Sequence, residues 1–189
     1  MKWNIFFILI ISVFMSMGAC SNREKKNGNN SADSLLTKTI SFPKTLLQLD
    51  GNKLKKIDSF NAATKGKRKI ISIIDGNCSK CIINQLNNID SIFNKLIINK
   101  NSSELIFILN VQSKDSAYFM QNLRPLIDAR GIILWDNNYN FERKNKLFTK
   151  NYNLRTFMTN PKNRIIQYGN PLMNPELIYE YKEKLNPVN

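Results

Sequence analysis

The chain has 189 residues, 42% of them hydrophobic and 22% charged. That is enough apolar material for one folded domain and argues against a disordered chain. Lys and Arg total 28 against 14 acids, a formal charge of +14, and there is no histidine. The absence of histidine excludes Ser-His and Cys-His catalytic pairs and every His-containing metal site. The cations are spread along the chain, with no helix-turn-helix, zinc-finger or aromatic RNA-binding pattern. They read as solubility and proximity to an anionic membrane face, and nucleic acid is not an expected partner.

Residues 1–19 read as a signal peptide. Lys2 precedes an uncharged run from Trp3 to Asn22, whose apolar core begins at Ile5 and continues through Val13, Phe14 and Met15. Gly18-Ala19 stand directly before Cys20, and Met17-Gly18-Ala19-Cys20 resembles the bacterial lipobox, in which the cysteine is lipidated. An uncleaved membrane-spanning helix is the competing reading; Asn4, Ser12 and Ser16 interrupt the run and count against it. Both place the rest of the chain outside the cytoplasm. The expected location is the cell membrane or outer membrane, lipid-anchored and facing the periplasm. Residues 20–39 follow as a flexible tether, polar through Arg23-Glu24-Lys25-Lys26-Asn27-Gly28.

The folded domain is expected over 40–189. Thr45 to Leu49 reads as a strand entering a tight turn at Asp50-Gly51-Asn52. Lys69 to Ile74 is a β-branched apolar run that fits a buried central strand, broken by Gly76-Asn77. After Cys78, Ile82, Leu86, Ile89, Phe93 and Leu96 recur at helical spacing. Glu104 to Val111 is a second buried strand. Ser113 is placed to cap a helix with Tyr118, Phe119 and Leu123 on its apolar face, ended or bent by Pro125. Gly131 to Trp135 is a third strand, with Trp135 in the core. Glu142-Arg143-Lys144 and Lys146 read as a solvated loop face. Arg155 to Thr159 and Arg164 to Tyr168 flank Asn160-Pro161-Lys162-Asn163 as a hairpin, and Pro175 to Leu185 form a last helix capped by Asn174. Strands alternating with helices imply a parallel sheet section covered on both faces, and the hairpin makes the sheet mixed.

The chemistry lies in the cysteines. There are three; with Cys20 assigned to lipid, Cys78 and Cys81 remain as one Cys-x-x-Cys pair. A ring this short adds little entropic stabilisation, so the pair reads as redox-active rather than as a staple. It falls between a buried strand and an amphipathic helix, where free backbone N–H groups and the helix dipole favour a thiolate. Lys80 between the cysteines pushes the same way. Asp75 lies three residues before Cys78 and could tune the thiolate or relay a proton; its other reading is the residue that ends the strand in a turn. Metal capture by two thiolates would need further ligands from elsewhere, so neither metal nor cofactor is expected.

These features together resemble the thioredoxin-like superfamily, in particular its redoxin-type lipoproteins. The carriers are Ile70 to Asp75, Cys78-Ser79-Lys80-Cys81, Thr156-Phe157-Met158, and Asn163 through Pro171. The resemblance implies an α/β thioredoxin-like three-layer fold, with a mixed central sheet flanked by helices. It also implies thiol-disulfide exchange with protein thiols or disulfides outside the cytoplasm, Cys78 as nucleophile and Cys81 as the resolving residue. Three positions depart from the pattern. Leu154, followed by Arg155, stands where the family places a cis-proline facing the dithiol; Asn77 replaces a common tryptophan; and no proline follows Cys81. Leu154 and Arg155 are thus the expected substrate-facing residues. The departures also admit a second reading, a binding or assembly lipoprotein of this fold with a vestigial dithiol.

Overall fold

The computed structural model describes residues 35–76 and 79–186. Residues 1–34, which hold the expected signal segment, Cys20 and most of the expected tether, lie outside the described residues, as do Asn77 and Cys78; Lys80 and Cys81 are described by backbone alone. Among the described residues no helix is long and apolar enough to cross a membrane.

The compact unit begins at Leu36, ahead of the expected boundary at residue 40. Strands β1 (Leu47–Asp50) and β2 (Lys53–Lys56) form an antiparallel hairpin. Gly51 takes the left-handed conformation (φ +58°) that this two-residue turn requires. Helix α1 (Asp58–Ala63) leads into β3 (Arg68–Asp75), α2 (Ser79–Leu96) and β4 (Ser103–Asn110). A composite helical segment runs to Leu126, followed by β5 (Ile132–Asp136), α3 (Asn140–Asn145), the hairpin β6 (Thr156–Thr159) and β7 (Ile165–Tyr168), and α4 (Leu177–Leu185). The strands make one seven-stranded sheet in the order β2-β1-β5-β4-β3-β6-β7. β3, β4 and β5 pair in parallel and the other neighbours are antiparallel, which is the expected mixed sheet.

The central strands are buried on both faces, which is why they read as continuous apolar runs. Ile70, Ile74, Leu105, Phe107 and Leu109 join the core that α2 covers with Ile82, Leu86, Ile89 and Phe93. Asp90, on the same helix, is buried; its Oδ1 accepts from Arg130 N and Gly131 N, both at 2.8 Å. Tyr181 of α4 meets Phe93 edge-on at 4.9 Å. Strand alternation sends Ile71, Ile73, Ile106 and Ile108 to the opposite face, and all four are buried there too. Phe60 of α1 and Phe141 of α3 are fully buried and both contact Phe42.

Several expectations need correction. β2 and α1 were not anticipated, because a fully exposed Lys-Leu-Lys-Lys strand has no buried face to mark it. Residues 37–39, expected as the end of the tether, lie with Ile40 along the free edge of β7: Thr37 N donates to Ile165 O, Ile165 N to Lys38 O and Ile40 N to Asn163 O. Ser113 makes no cap; it opens a 3-10 turn and its Oγ accepts from Asn137 instead. Tyr118 is exposed because the chain widens into a π turn at Phe119–Leu123, which turns Phe119 and Leu123 inward without it. Pro125 sits in the 3-10 turn that ends the segment. Trp135, by contrast, is in the core as expected, edge-on to Phe119 at 4.9 Å. Glu142 is not on a solvated loop: it lies in α3 and is only 1% exposed.

Candidate active site

The three parallel strands end in register, so Asp75, Asn110 and Asp136 form one row across the sheet. This is the end of the sheet from which the dithiol segment departs. Asp75 closes β3, and the turn begins at Gly76. Gly76 N donates to Asn110 O at 2.6 Å. A Cβ on Gly76 would stand 2.1 Å from that same oxygen, so only glycine lets the two strand ends approach this closely. Helix α2 starts at Ser79, which makes Cys81 its third residue and Cys78 the residue joined to its first. No acid occupies the first turn, and the unpaired N–H groups there favour an anion.

Asp136 positions the next part. It is buried, and its Oδ2 accepts from Phe141 N at 2.8 Å while Oδ1 takes Asn140 Nδ2 at 3.2 Å. That fixes the start of α3 and carries Glu142 over the strand ends. Both Glu142 oxygens accept from Arg155, Oε1 at 3.1 Å and Oε2 at 3.2 Å. Oε2 also accepts from Asn110 Nδ2 at 2.6 Å. The other arm of the guanidinium, Nη1, stands 3.7 Å from Asp75 Oδ2. The Tyr152 ring lies beneath it, 5.9 Å from the guanidinium carbon. Arg155 thus joins the exit of β3 to α3 and to the turn before β6. Side-chain exposure is 9% for Arg155, 2% for Glu142 and 28% for Asp75.

Among the described residues, two cavities reach the end of β3. One, of about 240 Å³, is lined by Gly76, Ser79, Ile82, Val111, Phe119 and Leu123 among others. Its lining mixes these apolar side chains with the polar Asp115 and Tyr118, beside the residues that bracket Cys78. The other, of about 420 Å³, has Asp75, Glu142 and Arg155 in its lining and the exposed rings of Phe148 and Tyr152 at its margin.

The residues read from the sequence fall as follows. Asp75 ends its strand and lies at the dithiol end. Leu154 is partly buried and Arg155 buried; of the two, Arg155 directs its charge at carboxylates of its own chain. Sequence reasoning missed Glu142, Asn110 and Asp136. The available signal was a polar residue closing each apolar strand, Leu109-Asn110 and Trp135-Asp136, at the same end as the cysteines.

No family model matches the chain, and no curated protein matches it. Solved structures do. A thioredoxin-like protein from Porphyromonas gingivalis aligns with 78% of this chain and 94% of its own, at 20% identity and a TM-score of 0.52. The thioredoxin domain of a thiol-disulfide oxidoreductase from Bacteroides vulgatus covers 80% of this chain and 99% of its own, at 9% identity and a TM-score of 0.52. The pneumococcal exposed lipoprotein thioredoxin from Streptococcus pneumoniae covers 75% and 100%, at 15% identity and a TM-score of 0.50. What these share with this chain is the architecture: the fold is thioredoxin-like, as the resemblance in sequence implied.

Proposed function

We propose that the chain is a membrane-anchored thiol-disulfide oxidoreductase acting outside the cytoplasm through Cys78 and Cys81. The observation that carries the reading is the place of the motif. It joins the end of a central parallel strand to the first turn of an 18-residue helix, in a thioredoxin-like sheet. A thiolate is favoured there by the helix N-terminus and by the neighbouring Lys80.

In the reductive direction, the Cys78 thiolate attacks one sulfur of a substrate disulfide. A mixed disulfide forms, and the other substrate sulfur leaves and takes up a proton. Cys81 then gives up its proton and attacks the Cys78 sulfur, releasing the second substrate thiol. The substrate gains two electrons and two protons, and the chain is left with a Cys78–Cys81 disulfide. A dithiol donor outside this chain must reduce it again. No cofactor enters the exchange. Leu154 and the exposed Tyr152, beside the turn that precedes β6, form the surface a substrate polypeptide would meet. Protein thiols or disulfides are the proposed partners. The location rests on residues 1–20, whose pattern is that of a lipoprotein signal.

The test is insulin reduction with a thiol donor, wild type against Cys78→Ser. Activity in the wild type that is lost in the variant supports the reading. Equal activity, or none in either, would favour the binding lipoprotein with a vestigial dithiol.

A further inference from the structure

Resting on the membrane-anchored part of that reading, we propose that the surface around residues 37–40, which strap the edge of β7, is a docking face for anionic phospholipid headgroups. Its charge is of one sign. No acid occurs from Leu35 to Leu49, nor between Glu142 and Glu176. The fold brings these two stretches together. Lys38 Nζ donates to Lys146 O at 3.0 Å, Ser41 and Asn145 exchange two hydrogen bonds, and Thr39 bridges to Arg164. Lys38, Lys44, Lys144, Lys146, Lys162 and Arg164 therefore lie in the strap or close beside it. All but the half-buried Lys38 are exposed. Burial first, and then the charge of Lys146, lower the Lys38 pKa, as expected where cations crowd.

The overall charge of +14 does not by itself produce such a face. Elsewhere the signs are mixed: Lys55 pairs with Asp50, Lys67 with Glu104, and α4 sets Glu180 and Glu183 among Lys182 and Lys184. Around the strap the acids are buried or few. Glu142 is buried against Arg155, and Asp136 is buried with its oxygens on Phe141 N and Asn140 Nδ2. Glu180, which reaches β7, accepts from Gln167. Helix α1, which touches Phe42 through Phe60, adds the exposed Asp58. The remaining excess of like charge is relieved only by an opposite surface. Which surface follows from the chain's own length. The compact unit begins at Leu36, at the head of the strap, sixteen residues after Cys20. A stretch of that length spans at most roughly 55 Å. With Cys20 anchored, the face nearest this attachment point is the first to meet the bilayer. Lysines are attracted to an anionic leaflet within a screening length, about 8 Å at physiological salt.

The experiment takes the full chain into vesicles of phosphatidylcholine alone, or of phosphatidylcholine with about one-third phosphatidylglycerol to make the leaflet anionic. Lysines are briefly acetylated and read one by one by mass spectrometry. At roughly 0.1 M salt, Lys44, Lys144, Lys146 and Lys162 should react at least about threefold more slowly on the anionic vesicle. Lys53 and Lys56, on the opposite border of the sheet, should change less than about twofold. Raising the salt to about 1 M, where the screening length falls to about 3 Å, should remove the difference. In Lys144→Gln/Lys162→Gln, which alters two exposed positions, Lys44 and Lys146 should return toward their rates on the neutral vesicle. Equal slowing of every lysine overturns the proposal. Slowing of these lysines by a duplex oligonucleotide, and not by the anionic vesicle, overturns the lipid assignment in favour of a nucleic acid. A chain that floats with neither vesicle overturns the anchored reading and this inference together. A chain that floats with both, with this face labelled alike on each, overturns this inference alone.

Discussion

Replacing Arg155 with methionine removes the guanidinium and keeps most of the side chain's length and volume. Glu142, with 2% of its side chain exposed, then keeps, among the described residues, Asn110 Nδ2 at 2.6 Å as its polar side-chain partner. A buried ion pair broken on one side costs about 3–5 kcal/mol, because the surviving charge is neither solvated nor paired. Asp75, with 28% of its side chain exposed, retains water and adds little to that. For a domain of this size the loss corresponds to a fall in melting temperature of about 6–20 °C. Glu142→Leu in the same chain removes the stranded carboxylate and should restore most of the loss, short of about 1–3 kcal/mol for the Asn110 amide left without its acceptor. Urea unfolding followed by circular dichroism on the wild type, both single variants and the double variant gives the coupling energy directly. A loss below about 1 kcal/mol in Arg155→Met, or single-variant losses that simply add in the double variant, would refute the argument that these charges depend on each other.

Gly76→Ala should destabilise by about 1–3 kcal/mol, since the new methyl carbon would sit 2.1 Å from the Asn110 carbonyl oxygen, a backbone atom that cannot turn away; an unchanged urea midpoint would contradict that. Tyr181 is fully buried and its hydroxyl donates to Gly169 O at 2.9 Å. Burial, with the nearby Glu180 charge, raises its pKa far above the ordinary phenol value. The native state therefore holds this proton more tightly than the unfolded chain. Its contribution to stability is complete below pH 10 or so and is lost as the pH rises further. An ultraviolet titration should show Tyr181 staying protonated until the chain unfolds. Complete ionisation of all six tyrosines in the still-folded protein would falsify the assignment.

What the sequence made legible follows from what each residue must satisfy locally. β3 and β4 announced themselves because a strand covered on both faces can only be apolar, and α2 because its buried residues repeat every three or four positions. The β6–β7 hairpin was visible in Asn160-Pro161-Lys162-Asn163, where Asn160 Oδ1 accepts from Lys162 N and Arg164 N and Asn163 takes a positive φ of 61°. β2 was illegible, since an exposed edge strand is free to be Lys-Leu-Lys-Lys. Glu142 was misread for a related reason. In a short polar stretch a charge looks solvated, and only Arg155, thirteen positions on, makes its burial tolerable. The same pairing explains Arg155. The family resemblance places it with Leu154 as a substrate-facing residue, whereas its own partners come from α3 and from the end of β3, neither of which local spacing reveals.

The strap formed by residues 37–40 bears on how the chain behaves in company. A sheet has two borders, and each is a place where a second molecule could add its own strand. At one border this chain sets the lysines of β2, all exposed, which repel a copy of themselves. At the other it spends its own backbone on Ile165 and Asn163, and Asn145 pins Ser41, accepting from its N and donating to its O at 2.8 Å each. Proteolysis just ahead of Ser41 would leave the sheet standing but strip that border. The clipped protein would then carry an adhesive edge, and the loss of the strap would be felt first as self-association and not as unfolding.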